Sequence, residues 1–503
     1  MAHRFSFFAG CLAFCTAVAA QNMIITYTEG GTAEVSGYTD EDIHVSVKGN
    51  KVNIKDMRDY ENDLGTITYV LKGKTSDGSL KLNSYVKAKV RLDAVDLTSK
   101  EGAAIHLKNK KLTEIESTEG TENHITILAC KDTAKNKQAA IWAKQSINLT
   151  GKGKLNVHAL GDGCKGINVK GDIVVRDVNL NVITKGDNLG IDTTRVMGAP
   201  QMKGMPPIPA FSHDSIPADG MARFEEMNKD RKHPMNRQHP ATPQQMTNLP
   251  FPPAGGMPDG KQKYLSTCKG IKAKGKISIE SGNVSVETNS AGAEGIEGKE
   301  GVRVDGGEIY VRAVDDGINS GGKIVFSGGK TTAISTTNDA IDSNFGEKNG
   351  GGFPLMHERS DKSETLEPAI IISGGTVLAW SQRGAPEEGL DCDFSPIEVS
   401  GGTVFSIGAG MGDMPSVPTN ETAKQATALV IGLDFDEGQK VTVRNKKGKS
   451  LIDFDAPFAF QRSSSLISSP GFKVGDSYVL SIGTTQKNIE LKEPFTIVNQ
   501  NNP

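Results

Sequence analysis

The stretch DDGINSGGKIVFSGGKTTAISTTNDAIDSN, residues 315–344, writes one acidic phrase twice, as DDGINS at 315–320 and NDAIDS at 338–343. In each phrase a small residue precedes an isoleucine, Gly317 before Ile318 and Ala340 before Ile341. The same pair marks Ile105, Ile141, Ile167, Ile191, Ile271 and Ile296. The steps are 26 and 24 residues from Ile141 to Ile191, then 25, 22 and 23 from Ile271 onward. A second series keeps step with the first: SGN at 281, DGG at 305, and SGG at 327, 373 and 400, followed by β-type runs such as EIYVRA, KTTAIS, TVLAWS and TVFSIG.

Between the markers apolar and polar residues alternate, as in LNVHAL, KISIES and VSVET, which is the period of strands with one buried face. A unit of 22 to 26 residues built this way cannot bury its own apolar side, so neighbouring units must stack. Parallel pairing about 4.8 Å apart does this, and right-handed winding is the rule for such crossovers. The expected fold is all-β, a right-handed parallel β-helix with β caps at both ends. Propellers and sandwich arrays need antiparallel hairpins and blades of about 40 residues or more.

The first 20 residues, with Arg4, an apolar run from Phe5 to Val18 and small residues before Gln21, read as a secretory signal peptide. The expected location is therefore outside the cytoplasm: periplasm, cell surface or medium. Residues 21–63 read as an N-terminal β cap, 64–410 as the repeat core and 421–503 as a C-terminal β cap. A Met- and Pro-rich stretch without periodicity, 195–262, reads as an excursion from the core, and a smaller polar insertion falls at 346–366. No later run is long and apolar enough for a transmembrane helix. With 57 basic and 60 acidic residues and no basic tract, the chain carries no electrostatic footprint for nucleic acid.

If the marker isoleucines point inward, the residues after them point outward. That column reads His106, Trp142, Asn168, Asp192, Lys272, Glu297, Asn319 and Asp342, with a second polar set, Glu294, Asp315, Asp316, Asn338 and Asp339, just before the markers. Carboxylates stacked on neighbouring rungs repel, and a divalent cation reverses the sign. Ca²⁺, which accepts six to eight oxygens in loose geometry, is the expected ligand of Asp315, Asp316, Asp339, Asp342, Glu294 and Asp192. The alternative is that Asp and Asn serve only as turn formers. Trp142 and Trp380, both placed outward by the alternation, are candidate stacking platforms for sugar rings or, alternatively, packing residues beneath a loop; Lys272 and Asn319 are the candidate polar contacts.

Cys164 and Cys268 both stand in the phrase CKGI. If the Ile191 segment adds no rung they lie on adjacent rungs, within the 4.4 to 6.8 Å Cα separation a disulfide accepts; if it adds one, they are about 10 Å apart and stay reduced.

DDGINSGGKIVFSGG and NDAIDSNFG, with TEGTENHITI and KGIKAKGKISIESG, resemble a family of secreted bacterial carbohydrate-binding domain-containing proteins, distantly similar to polysaccharide lyases. The resemblance covers residues 64–410. It implies a right-handed parallel β-helix, calcium near Asp315, Asp316, Asp339 and Asp342, and non-catalytic binding of plant-type or acidic polysaccharide. A lyase is the rival: β-elimination on a uronic acid needs a cation and a base, and Lys272 would be that base. Neighbouring acids would raise its pKa, the wrong direction for a base, and favour a salt-bridged ladder. A surface adhesin or structural solenoid is the third reading.

Overall fold

The computed structural model describes residues 21–58, 66–130, 138–191, 264–345, 367–383, 387–392, 395–408 and 416–498. The signal-peptide reading, Asp192, and the insertions at 195–262 and 346–366 lie outside these residues. Residues 1–190 and 264–503 belong to one compact unit, and 191–263 to another of which only Ile191 is described. Among the described residues every named element is a β-strand, and no helix is long and apolar enough to cross a membrane.

The chain passes three strand positions per rung. Ala139–Ala143, Ile147–Thr150 and Lys154–Ala159 form one rung, and Lys165–Val169, Ile173–Val175 and Asn179–Thr184 the next. Each strand pairs in parallel with its counterpart on the following rung. First-position strands make an 11-stranded sheet, called here the marker sheet, and second- and third-position strands join a 21-stranded broad sheet.

The marker residues are the spine of the first sheet. Leu80, Ile105, Ile141, Ile167, Ile271, Ile296, Ile318, Ile341 and Leu390 pair one to the next in unbroken register, and none is more than 3% exposed. Burying one such side chain contributes about 1.5 to 3 kcal/mol.

The small residue before each marker has a steric reason. A Cβ on Gly166, Gly270 or Gly295 would run into the buried valines Val182, Val286 or Val311, so these positions point inward like the isoleucine beside them. The same Cβ would also lie 2.7, 2.6 and 2.7 Å from the carbonyl oxygen of Gly270, Gly295 and Gly317 on the next rung. The second marker series has a backbone reason: Gly282, Gly307, Gly329, Gly375 and Gly402 all have φ between 72° and 93°, the first three directly before a third-position strand and the last two at the bend inside the long strands Ile370–Ser381 and Ile397–Ile407. Glycine adopts that conformation without a steric penalty.

Ile191 breaks the expected sequence of rungs. Ile167 pairs directly with Ile271, and Leu189–Ile191 belongs to neither large sheet. The 24-residue step to Ile191 is a continuation of the pattern in sequence but not in space. The two CKGI phrases therefore do fall on adjacent rungs, yet Cys164 bonds to Cys130, with 6.0 Å between their Cα atoms, and Cys268 is a buried thiol. Cys130 and Cys164 each follow a third-position strand, Glu122–Ile127 and Lys154–Ala159, and those strands are paired.

Both ends of the stack are closed by reversing the direction of pairing. At the start, Asn22–Tyr27 and Asn50–Asp56 stack in parallel on the rungs above, while Glu34–Gly37 and Ile43–Lys48 cover them antiparallel. Residues 21–58 thus supply the first rung as well as its cap. At the far end Phe460–Ser468 pairs antiparallel with Ile397–Ile407 and with Thr427–Phe435, and a four-stranded antiparallel sheet spans 440–490.

These C-terminal strands cover outward-facing residues of the last rungs, and this overturns the expectation for Trp380. Ile334, Leu378, Trp380, Phe405 and Ile407 point away from the main core and pack with Val430, Phe435, Val441 and Leu480 in a second one. Trp380 is 1% exposed, with Phe454, Phe435 and Phe405 rings 5.3, 6.0 and 6.2 Å away. The alternation that placed it outside the stack is correct, but that outside is covered, so Trp380 packs the core and presents no face to a sugar. Trp380→Ala should cost about 3 to 5 kcal/mol of stability in a denaturant titration.

Candidate functional site

Because the residue before each marker points inward together with the marker, the chain turns its next side chains to the opposite face at two places, two residues before the marker and one residue after it. On successive rungs the first column reads Lys165, Lys269, Glu294, Asp316, Asp339 and Glu388. The second reads His106, Trp142, Asn168, Lys272, Glu297, Asn319, Asp342 and Asp391. The two columns share one face: Asn319 donates from its amide to Asp316 Oδ2 at 2.8 Å on its own rung and to Asp342 Oδ2 at 2.7 Å on the next.

The sequence-derived column is reproduced except at Asp192. Lys272 follows Asn168 directly, and Asp391, carried by Leu390, extends the column by one rung. Asp315 lies half-buried one residue outside the first column. Lys165, Lys269, Glu388 and Asp391 were missed by sequence reasoning. The lysines occupy in CKGI the place the acids occupy in AEGI and DDGI, and EEGLDC is the marker phrase with leucine in place of isoleucine.

Charge is sorted along the columns. In the lower part Lys269 pairs with Glu294 and lies 3.0 Å from Glu297, which also pairs with Lys272 and Lys299. Burial pushes the Glu297 carboxyl up, but the three lysines outweigh it and hold the group well below the usual carboxylate range. Burial and the adjacent Lys269 pull Lys272 down against the opposing effect of Glu297. The sign is thus the reverse of that expected from neighbouring acids alone, because desolvation and a second lysine dominate. The expected salt-bridged ladder is present. Lys165, buried and donating to Ser266 Oγ at 2.6 Å, is lowered to about 8 by burial and by Lys272 and Lys269.

Beyond Glu297 every charged residue of the two columns is acidic. Asn338 and Asn319 donate to Asp316, and Asn319 and Asn344 to Asp342. Asp339 accepts from the Glu388 backbone N–H, and Ser416 donates to Asp391 at 2.9 Å. Burial, Asp391 and Asp316 together raise Asp339 to about 9, and burial and Asp391 raise Glu388 to about 8. Asn319, 7% exposed, spends its amide inside this network instead of offering it outward. The oxygen-only donor set matches the chemistry of a hard cation such as Ca²⁺. Among the described residues no three His, Cys, Asp or Glu side chains converge as a ready metal cage, so such a cation would have to draw these carboxylates together.

Three rungs below Glu297, Trp142 is half-buried, edge-on to His106 at 4.6 Å, with Lys170 Nζ 5.8 Å from its ring centre. Burial, then Lys108 and Lys81, lowers His106 to about 4, so that ring is neutral at physiological pH. Trp142 keeps an accessible side on the same face as the charged columns.

A family model described as carbohydrate-binding domain-containing protein matches residues 62–199 and 265–427, and this chain belongs to that family. The two matched stretches leave out 200–264, most of which is the Met- and Pro-rich segment. A carbohydrate-binding domain-containing protein of Acetivibrio thermocellus is 25% identical over 166 residues, which are 30% of this chain and 57% of that relative. The chain therefore spans little more than half of that relative's length. A polysaccharide lyase-like protein from C. thermocellum, solved as a gadolinium derivative, aligns over 76% of this chain and 92% of its own with a TM-score of 0.35 and 15% identity.

Asp339 and Glu388 start from 3.8 and 4.5 and rise on folding, so the folded chain holds protons that the unfolded chain releases. Stability from these two groups is therefore highest below the unfolded values and declines as pH rises toward about 8 to 9. In chelator, the melting temperature should fall between about pH 6 and pH 8, and Asp339→Asn with Glu388→Gln should flatten that fall.

Proposed function

We propose that this protein binds polysaccharide along the outer face of the marker sheet, on a scaffold wound as a right-handed parallel β-helix. The observation that carries the reading is the run of carboxyls on three adjacent rungs, the buried Asp316, Asp339 with Asp342, and Glu388 with the half-buried Asp391, beside a lysine-rich stretch of the same columns. Calcium held by these oxygens would offset their mutual repulsion and offer its remaining coordination positions to a ligand on the outer side. The glycan it suits is acidic, its carboxylates bridged by the cation at one end of the face and met by Lys272 and Lys269 at the other. Trp142 supplies the apolar platform for a sugar ring farther along. Export from the cytoplasm, proposed from the first 20 residues, would bring the chain to both calcium and glycan.

The test is retention on insoluble polygalacturonate. Calcium should support it, chelator should abolish it, and Asp339→Asn with Asp342→Asn should reduce it at least about ten-fold, which is about 1.4 kcal/mol. Retention that ignores both calcium and these substitutions rules the reading out. The lyase reading retains one favourable observation, the downward pull on Lys272. Unsaturated uronate appearing in the ultraviolet, and lost in Lys272→Ala, would establish it in place of simple binding.

A further inference from the structure

The broad sheet carries a second lane of side chains that the marker sheet's chemistry does not use. On its third-position strands His124, Asn156, Asn181, Ser285, Tyr310 and Thr332 pair one to the next over six consecutive rungs. Their strand neighbours Leu155, Leu180, Val284 and Ile309 are buried in the core, so alternation turns the lane outward. Its upper limit is set by the next position, Leu378, which the C-terminal strands cover.

The lane differs from the marker face in charge. Its six side chains are amides, hydroxyls, an imidazole and a phenol, with no carboxylate or amine. Charged residues border it: Glu308 and Lys330 pair at 3.1 Å, Glu122 accepts from Asn156 and lies 3.8 Å from His124, and Glu287 and Arg312 stand two residues on from Ser285 and Tyr310. Asn181 donates to Asn156 Oδ1 at 3.4 Å and Asn156 donates to Glu122 Oε1 at 3.0 Å; an amide has two donors and two acceptor lone pairs, so capacity for a ligand remains on both. Tyr310 is 39% exposed between Ser285 and Thr332, both too short to cover its ring. An accessible ring among neutral hydrogen-bonding groups, repeated at about 4.8 Å, matches a chain of pyranose rings, each roughly one rung long. Within the lane itself, neutral hydroxyls meet neutral hydrogen-bonding partners.

We infer that the His124 to Thr332 lane is a second glycan-binding site, specific for an unbranched neutral polysaccharide, with Tyr310 as its stacking platform. It relies on neither calcium nor the acidic face. The experiment is depletion of the full chain from solution by an insoluble neutral β-glucan in the presence of chelator. Retention should persist without calcium, weaken about five-fold in Tyr310→Ala and stay within about two-fold in Tyr310→Phe. Ser285→Lys, which sets a long side chain on the rung beside the ring, should weaken it as well and decides the matter if Tyr310→Ala folds poorly. Asp339→Asn should leave this retention unchanged, whereas the marker-face reading is judged on polygalacturonate with calcium, so the two can fail separately. Absence of retention on neutral glucan, retention on anionic glycan alone, or indifference to both Tyr310→Ala and Ser285→Lys overturns the assignment.

Discussion

A carbonyl oxygen of one rung stands where a side chain of its neighbour would have to be. At Gly317 the missing Cβ would lie 2.5 Å from the carbonyl oxygen of Ala340, and Gly295 and Gly270 are equally close to the rungs beside them. Only glycine, or alanine where the fit is looser, permits this approach. Two inward residues in succession then place the side chains two before and one after on a common outer face. The candidate site is therefore a product of packing inside the stack, which gathers residues separated in sequence by 22 to 104 positions into two straight columns.

Straight columns make electrostatics cumulative. A surface ion pair contributes little in most proteins, but here each charged residue meets its counterpart on the rungs above and below. Glu297 gathers three lysines, and the same geometry supplied with acids adds to burial in driving Asp339 upward. The sequence changes sign between Lys272 and Asp316, and the face inherits that change as a boundary across the sheet. The lane on the broad sheet uses the same scaffold with neutral residues, so one repeat presents two chemically distinct surfaces.

Much of this was legible before the structure, for a physical reason: period-two alternation and a fixed step determine which residues share a column. Ile105 through Ile341 stack as the markers imply, and Lys272 does lie beside Glu297. The failures lie where a second constraint overrides the pattern. Ile191 carries the marker phrase without a rung, because its strand joins a separate two-stranded sheet and nothing in the phrase reports which partner a strand takes. Leu390 forms a rung with a different side chain, because volume and not identity is what the spine requires. Trp380 points outward as alternation demands but meets the C-terminal strands, a tertiary contact with no local signature. Cys164 finds Cys130 instead of Cys268, a choice between two near neighbours that spacing alone leaves open.

Register across the longest gap has a consequence for how such a chain tolerates change. Ile167 and Ile271, 104 residues apart in sequence, pair as closely as Ile296 and Ile318 do. Closing a flexible segment costs entropy that grows only with the logarithm of its length, about 0.6 kcal/mol for each doubling. The stack is therefore nearly indifferent to what is spliced into its corners, while its ends, sealed by antiparallel strands, cannot grow. A molecule of this kind diversifies sideways: its length is a fixed property of the fold, and its corners are free ground on which new segments can be added without disturbing the rungs.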